Sequence, residues 1–456
     1  MIFQIRHSGP GRNPVTASPV LSLVMDGARN QNSFSSPRIS RRQGNTWSEA
    51  DKGTLEAEQD CGEGLLQKFI SSVFKTLWIP ACAGMTALIL AAPVMAQTVQ
   101  SEKHAFRVVT LTRGLQHPWS IAFLPDGRML VTEREGRLRI VGRDFRLDPQ
   151  PVAGLPEVIA TGQGGLFDVV LHPQYAQNGW IYWAYNAPDR DTTAGGWGTA
   201  LARGRLSSDS SGHRMTDVQV LFSMTPKTRT GHHFGGRIVF DQKNFLYLTL
   251  GDRGDMPRAQ KLDDHAGSVI RLHDDGRVPA DNPFVKRAGA KPEKFTLGNR
   301  NIQGIAPHPQ TGELWAHEHG PQGGDEVNIM RAGRNYGWPV ITYGVNYGFG
   351  TKIGEGKAKA GMEQPLHVWV PSIAPSGLAF YSGDKFPGWK NNLLIGALKD
   401  EMLVRLELKG EKIVREERML KGQIGRIRDV RVGPDGFVYL LTDEREGVVA
   451  RLEVVK

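Results

Sequence analysis

The sequence predicts an all-β protein, and two observations lead to this fold class. One pattern recurs six times: an apolar strand, a turn of the Pro/Asp/Gly type, and a second apolar strand. The 54 glycines and 27 prolines among 456 residues favour many short strands, and no long amphipathic helix is evident. Six hairpins at this spacing predict a six-bladed β-propeller with four-stranded antiparallel blades. A β-sandwich is the alternative, although it usually needs fewer similar hairpins.

Each hairpin shows the alternating character of a β-strand on both sides of its turn. The copies are SIAFLPDGRMLVTE from Ser120, FDVVLHPQYAQNGWIYWAY from Phe167, GGRIVFDQKNFLYLTLGD from Gly235, IQGIAPHPQTGELWAHE from Ile302, SGLAFYSGDKFPGWKNNLLIGAL from Ser376, and IRDVRVGPDGFVYLLTDE from Ile427. Successive turns lie 48 to 74 residues apart, which is the length of one propeller blade. The predicted catalytic propeller spans residues 101–456.

The N-terminal region has a different character from the rest of the chain. Residues 1–65 are polar and without periodicity, and we expect a disordered or non-native extension there. Residues 66–96 contain the apolar run LWIPACAGMTALILAAPVMA, which ends in the small residues Val94 and Ala96 before Gln97. This pattern predicts a signal peptide, and therefore a periplasmic or secreted protein. Two prolines interrupt the run, so stable membrane insertion is not expected.

Cysteine content and charge exclude several classes of function. The chain has two cysteines, Cys61 and Cys82, both in the region expected to be removed. Disulfides, zinc–thiolate sites and cysteine nucleophiles are then excluded from the mature protein. The formal charge is +9, but the basic residues are scattered rather than clustered. We therefore expect no nucleic-acid binding, and attraction of a small polyanion fits better.

The segment His317–Trp338 is rich in oxygen donors. It combines the backbone carbonyls of Gly320 and Pro321 with an acidic pair that includes Glu326, and with the phenol of Tyr336. Oxygen ligands on a bent, glycine-rich loop suit calcium better than zinc or copper. The alternative is an acidic surface loop between two strands.

A second group of candidate residues is cationic. Arg426 and Arg428 are two positions apart, so on a strand their side chains share one face. Two adjacent guanidinium groups repel each other unless an anion lies between them, and arginine geometry favours a bidentate carboxylate. The alternative is a solvated strand face with acidic neighbours. Lys399 is either a third cation of this set or an ordinary surface lysine.

His233 is a candidate general base, because the unperturbed pKa of histidine, about 6.5, lies near working pH. It follows another histidine and precedes Phe-Gly-Gly at the start of a predicted strand. A buried histidine bonded to the backbone is one alternative. His232 as the base is another.

Eight motifs in order resemble the soluble PQQ-dependent aldose sugar dehydrogenases, relatives of soluble quinoprotein glucose dehydrogenase. They are HPWSIAFLPDG, GQGGLFDVVLHPQ, HFGGR, GNRNIQG, EHGPQGGDEVN, NYGWP, GALKD and RIRDVRVGPDG, and they run from about His117 to Leu452. The resemblance implies a six-bladed propeller that binds pyrroloquinoline quinone (PQQ) and Ca²⁺ at the mouth of its channel. It also implies oxidation of aldose sugars at C1 to the lactone.

The resemblance assigns roles to individual positions. His233 resembles the base that takes the C1-hydroxyl proton as hydride passes to the quinone C5, with Gly320 and Pro321 as carbonyl ligands of the cofactor calcium. Positions that match cofactor contacts are Gln163, Tyr347, Lys399, Arg426 and Arg428, and those linked to a second calcium are Glu326 and Tyr336. One motif departs from the family, which places an Arg-Asn pair after a GDxG turn where this chain has Asp255 and Met256. Arg253 or Arg258 is then expected to supply the cation near the C5 oxygen.

Three functions remain to be distinguished. The first is a quinoprotein dehydrogenase that acts on small aldose sugars, passes electrons to an external acceptor, and is a monomer or homodimer. The second is a calcium-dependent hydrolase of the lactonase type, and the third is a non-catalytic binding propeller. The set Lys399, Arg426 and Arg428 favours the first, because a neutral lactone has no charge for three cations to balance.

Overall fold

The structure is a computed structural model that describes residues 97–190, 193 and 195–455. The predictions for residues 1–65 and 66–96, together with both cysteines, lie outside the described residues. In chain order the strands are β1 (Thr98–Gln100), β2 (Ala105–Leu115), β3 (Pro118–Phe123), β4 (Met129–Glu133), β5 (Arg137–Val141), β6 (Leu166–Leu171), β7 (Trp180–Pro188), β8 (Trp197–Asp209), β9 (Gly212–Ser223), β10 (Ile238–Phe240), β11 (Leu246–Leu250), β12 (Ser268–Leu272), β13 (Ile302–Pro307), β14 (Leu314–Glu318), β15 (Asp325–Met330), β16 (His367–Trp369), β17 (Pro375–Phe380), β18 (Leu393–Ala397), β19 (Met402–Lys409), β20 (Lys412–Met419), β21 (Ile427–Val432), β22 (Val438–Thr442) and β23 (Gly447–Val454).

Helices are few and short. The described residues contain one α-helix, α1 (Tyr175–Asn178), and two 3₁₀ helices, Met256–Gln260 and Pro387–Trp389. None of the helices in this part of the chain has the length and apolar character needed to traverse a bilayer.

Six antiparallel sheets form the six blades of a β-propeller, which confirms the predicted fold class. Each predicted hairpin is the inner pair of strands of one blade. Blades 2, 4 and 5 have four strands (β6–β9, β13–β16 and β17–β20), whereas blades 1 and 3 have three (β3–β5 and β10–β12). In blades 1 and 3 the outer edge is reduced to isolated bridges such as Leu138–Val152 and Ile270–Lys294.

Blade 6 closes the ring with strands from both ends of the propeller. Its order is β1-β2-β23-β22-β21, so the N-terminal strands pair with the last strand of the chain. The sheet thus begins at Thr98, slightly before the predicted start at residue 101. Pairing of β2 with β23 joins the two ends of the propeller chain by backbone hydrogen bonds within one blade.

Neighbouring blades pack face to face, and alternate residues of one strand serve two interfaces. In β4, Met129 and Val131 pack against blade 6, whereas Leu130 packs against blade 2. Both faces of the strand are buried, which explains why the inner strands read as nearly continuous apolar runs. The predicted turns are held locally: in the first hairpin Asp126 accepts a hydrogen bond from the Arg128 amide at 3.0 Å, and Gly127 has φ +88°.

Buried ion pairs lie on the channel side of the inner strands. Arg237 is 2.9 Å from Asp429, and Arg431 pairs with Asp429 at 2.9 Å and with Asp168 at 2.6 Å. Arg428 lines a cavity at one mouth of the channel, and Arg431, three residues further along β21, lines a pocket at the other mouth. The ion pairs therefore lie between the two mouths and link blades 2, 3 and 6.

We expect Asp168→Asn to lower the free energy of unfolding by about 3–5 kcal/mol, because Arg237 and Arg431 are then left to share the single carboxylate of Asp429. Asp275→Asn is the matched control, since its partner Arg277 is 77% exposed and exposed pairs contribute about 0–1 kcal/mol. Urea unfolding of both variants measures the difference. Equal, small losses in the two variants would show that the buried network does not stabilise the ring.

Candidate active site

A cavity of about 270 Å³ lies at one mouth of the propeller channel and receives side chains from all six blades. Its lining residues are Trp119, Arg134, Gln163, Phe167, Phe234, Gly235, Asn301, Gln303, His319, Ala374, Leu398, Lys399, Arg426, Arg428 and Asp443. Four of these side chains are cations and one is a carboxylate, so the lining carries three excess positive charges. This composition suits a small ligand with several negative charges.

Blades 5 and 6 supply the predicted cations, as the sequence suggested. Lys399 donates to the Ser372 carbonyl at 3.1 Å, and Arg426 donates to the Leu398 carbonyl at 3.2 Å. Arg428 is bonded to Asp443 at 2.6 Å, but its buried Nε has no hydrogen-bond partner. The three cations are thus brought together, and only Arg428 is strongly paired within the protein.

The sequence analysis did not single out Asp443, which directly follows β22 and lines the cavity. Its carboxylate receives bonds from Arg428 and, at 3.1 Å, from His117. Burial alone would raise the pKa of Asp443, but the Arg428 charge and hydrogen bond outweigh burial and lower it. The carboxylate therefore stays ionised and fixes the orientation of Arg428.

Aromatic rings form one wall of the cavity. Trp119, Phe167 and Phe234 lie in a row, with ring centroids 5.6 and 5.5 Å apart. The Arg237 guanidinium packs behind Trp119, 4.1 Å from its ring centroid. A planar aromatic ligand with acidic substituents could stack on this wall while its charges face the cations.

His233 is not a lining residue but directly precedes one, Phe234. It has a backbone conformation unusual for a residue with a side chain (φ +49°). Its amide donates to the Gln163 side chain at 2.9 Å, and its ring Nδ1 lies 2.6 Å from Asp252. Gly251 permits this arrangement, because a Cβ there would come within 2.1 Å of the His233 carbonyl oxygen. The predicted cofactor contact Gln163 thus also holds the predicted base.

Asp252 orients the imidazole of His233. The sequence analysis did not single out this residue, although it is the Asp of the GDxG turn, Gly251 to Gly254. The carboxylate accepts from the Gly254 amide and from the Trp338 indole, each at 2.7 Å. With Nδ1 bound to Asp252, the Nε2 of His233 is the nitrogen left to act as a base. The pKa of His233 is lowered, mainly by burial and also by the charge of Arg300. The hydrogen bond to Asp252 acts in the opposite direction but does not outweigh them.

Arg253, expected near the quinone C5, is not among the residues that line the cavity. Its side chain is fully buried and donates to the carbonyls of Thr230 and His232, and burial lowers its pKa to about 9. Arg258 likewise pairs with Asp264 at 2.7 Å, away from the lining. The guanidinium that acts on His233 is instead that of Arg300.

Arg300 and Asn301 belong to the GNRNIQG motif. The motif carried the family resemblance, but the sequence did not identify these two residues as part of the site. Asn301 lines the cavity and accepts from the Gly235 amide at 3.1 Å. Arg300 donates to the carbonyls of His319 and Gly320 at 3.1 and 2.7 Å. The predicted calcium-ligand loop is therefore tied to a cation that sits next to the cavity.

The acidic and phenolic residues of that loop face a second, narrow pocket. Glu326 lies opposite Glu318 in the β14–β15 pair, and burial raises the pKa of Glu326 to about 8. The Tyr336 hydroxyl donates to the Ile329 carbonyl at 2.6 Å and accepts from the Arg331 amide at 2.7 Å, which uses its proton and one of its lone pairs. Among the described residues, no group of three or more His, Cys, Asp or Glu side chains is arranged to hold a metal ion.

Tyr347, a predicted cofactor contact, is 69% exposed and does not line the cavity. It lies beyond Val345, whose backbone pairs with Gln322 at 3.0 and 3.1 Å. His232, the alternative base, is exposed, and its ring centroid is 6.1 Å from that of His233. The structure thus groups four predicted residues in the cavity lining (Gln163, Lys399, Arg426 and Arg428). It sets His233 next to them through Gln163 and leaves Tyr347 at the surface.

Fold and cavity together define a propeller with a cationic cavity next to an oriented histidine. The family model of glucose and sorbosone dehydrogenases matches residues 115–451. This chain therefore belongs to the glucose/sorbosone dehydrogenase family.

Individual relatives agree with this assignment. Aldose sugar dehydrogenase YliI of Escherichia coli (strain K12) is 47% identical over 347 residues, which cover 76% of this chain and 92% of the relative. The crystal structure of the soluble aldose sugar dehydrogenase from Escherichia coli, in the apo form, has 46% identity and a TM-score of 0.73, covering 77% of this chain and 100% of the other. The PQQ-bound aldose sugar dehydrogenase from Streptomyces coelicolor has 28% identity and a TM-score of 0.62, with 77% and 98% covered. The predicted family and the predicted enzyme class, a sugar dehydrogenase, are confirmed.

Proposed function

We propose that this enzyme oxidises aldose sugars at C1 to the lactone with PQQ as its redox cofactor. The observation that carries the proposal is the cavity itself, which combines three excess positive charges with an aromatic wall. An oriented histidine, His233, adjoins it through its bond to the lining residue Gln163. PQQ is planar, aromatic and bears three carboxylates, so its charge and shape match this lining. The PQQ-bound state of the Streptomyces relative supports the same cofactor.

The residues present fit the quinone by a structural criterion as well as by charge. The buried Nε of Arg428 has no partner in the protein, which is costly for a guanidinium unless a ligand completes its hydrogen bonds. Lys399, Arg426 and Arg428 would hold the three carboxylates, and Gln163 and Asn301 would contact the polar edge of the ring system. When bound, PQQ supplies the acceptor for the hydride from sugar C1.

Calcium is part of the proposal as an ion bound together with the quinone. Calcium takes about 6–8 oxygen ligands, whereas Gly320 and Pro321 supply two carbonyls. The Gly320 carbonyl already accepts from Arg300 at 2.7 Å, and the Pro321 carbonyl has only a 3.5 Å contact with the Ser372 hydroxyl. We infer that the remaining oxygens come from the cofactor and water. A second calcium near Glu326 and Tyr336 remains a further proposal.

His233 performs the proton transfer in this mechanism. Asp252 holds Nδ1, so Nε2 faces the substrate and takes the proton of the C1 hydroxyl as the C1–H bond breaks. Burial and the Arg300 charge lower the pKa of His233, which keeps the imidazole neutral and ready to accept a proton near pH 7. Asp252 then stabilises the imidazolium that forms.

Reconstitution tests the proposal. Apo-protein is mixed with calcium and PQQ, uptake of the quinone is followed by its absorbance, and reduction of a redox dye is measured with glucose and other aldoses. We expect uptake and sugar-dependent dye reduction. Absence of both, for every aldose tried, would refute the function. Hydrolysis of a lactone with calcium alone would instead indicate the lactonase alternative, for which the cavity offers one carboxylate already bonded to Arg428.

The cellular setting is proposed on the sequence pattern of residues 66–96, which favours export to the periplasm or secretion. There the reduced cofactor must pass its electrons to an external acceptor. We propose a monomer or homodimer that acts on small sugars.

A further inference from the structure

We propose that Trp338 is a positioning residue for the base, and that it acts through Asp252 by fixing which carboxylate oxygen meets His233. The inference rests on the proposed function for its catalytic consequence, but its structural part concerns the protein alone.

The two oxygens of Asp252 have separate partners. Oδ1 accepts from His233 Nδ1 at 2.6 Å and from the Gly254 amide at 2.7 Å, whereas Oδ2 accepts from the Trp338 indole at 2.7 Å. A carboxylate held at both oxygens cannot rotate about its Cβ–Cγ bond. Removal of the indole N–H leaves a buried oxygen without a donor, and the carboxylate then gains by turning towards other donors or water.

The indole is itself held firmly by contacts that do not involve Asp252. The Trp338 amide donates to the Gly298 carbonyl at 2.9 Å, and the Trp338 carbonyl accepts from the Gln260 side chain at 2.7 Å. The ring is 5% exposed and packs in a small cluster with Met256, Ala259 and Ile353. Several contacts independent of Asp252 therefore fix the position of Trp338.

The same ring also borders the cation next to the base. The Arg300 guanidinium carbon lies 5.3 Å from the Trp338 ring centroid. One side chain of blade 4 thus contacts both the carboxylate that orients His233 and the guanidinium whose charge acts on His233. Cation–π contact at this distance favours the observed place of Arg300.

Trp338→Phe tests the proposal, because it keeps an aromatic ring and removes the N–H. In apo-protein labelled with ¹⁵N-histidine, we expect His233 to show mainly the Nδ1–H tautomer in the wild type and a mixture of tautomers in the variant. In the reconstituted enzyme we expect kcat to fall by about 10–100-fold, the range seen when an outer partner of an active group is lost, with KM little changed.

Trp315→Phe is the matched control, since Trp315 is also buried in blade 4 but its indole N–H has no partner. It should leave both the tautomer and kcat unchanged. If Trp338→Phe does not fold, benzothienylalanine at position 338 preserves the ring shape without the N–H. An unchanged His233 tautomer in the folded variant overturns the proposal. A changed tautomer in a protein that oxidises no sugar would uphold the positioning role and refute the function instead.

Discussion

Replacement of His233 by alanine lowers the turnover of the reconstituted enzyme by about 10²–10⁴-fold, the usual contribution of a general base. The loss falls on kcat because Nε2 takes its proton only as the sugar reacts. Quinone binding should be retained, since the cations of blades 5 and 6 are unaffected and His233 contacts Gln163 through its backbone amide. Dye reduction under saturating sugar measures turnover, and absorbance titration measures quinone binding.

His232→Ala is the control, because this neighbouring ring is exposed and bonded to neither Asp252 nor Gln163. Its turnover should stay near that of the wild type, and the reverse outcome would make His232 the base.

The pH profile gives a second check of the role of His233. The base must be neutral, so kcat/KM falls as pH drops through the pKa of His233. That pKa is lowered, and the acid limb should therefore lie below the ordinary histidine value of about 6.5.

Lys399→Met weakens PQQ binding by about 10–100-fold with little change in stability, because it removes one charge-assisted hydrogen bond to a carboxylate, which contributes about 1.5–3 kcal/mol. The exposed ammonium group of Lys399 donates to the neutral Ser372 carbonyl, so its removal leaves no buried charge unpaired. Titration of apo-protein with the quinone measures the affinity, and urea unfolding measures the stability. The effect should shrink at high salt, since the interaction is between charges.

Lys390→Met is the matched control in the same blade. Lys390 is also exposed and also donates to backbone carbonyls, those of Ser382 and Gly383, but it does not line the cavity. Arg428→Met provides a contrast, because it leaves the buried Asp443 carboxylate without its strongest partner and should reduce both affinity and stability. Equal quinone affinity in Lys399→Met and Lys390→Met would remove Lys399 from the cofactor site.

The fold could be predicted because its signal is local. Each inner hairpin combines two apolar strands with a turn whose Asp and Gly are set by short-range hydrogen bonds, as Asp126 and Gly127 show. Six copies of that signal determine the number of blades. The number of strands in each blade was less predictable, because an outer strand pairs on one side only. In blade 1 the outer strand is replaced by isolated bridges such as Leu138–Val152. The closure of blade 6 by β1 and β2 depends on residues more than 300 positions away.

By itself the sequence determined the propeller and singled out candidate site residues, among them Arg426, Arg428 and His233, from their local spacing or motif. Only the tertiary structure decided which distant groups surround them. Asp252 meets His233 across 19 positions and Trp338 across 86, and Arg300 rather than Arg253 supplies the buried cation beside the base. The physical reason is the circular arrangement of the blades. Loops from all six blades converge on one mouth of the channel, so residues far apart in the chain become neighbours. Tyr347, which also belongs to a family motif, remains at the surface.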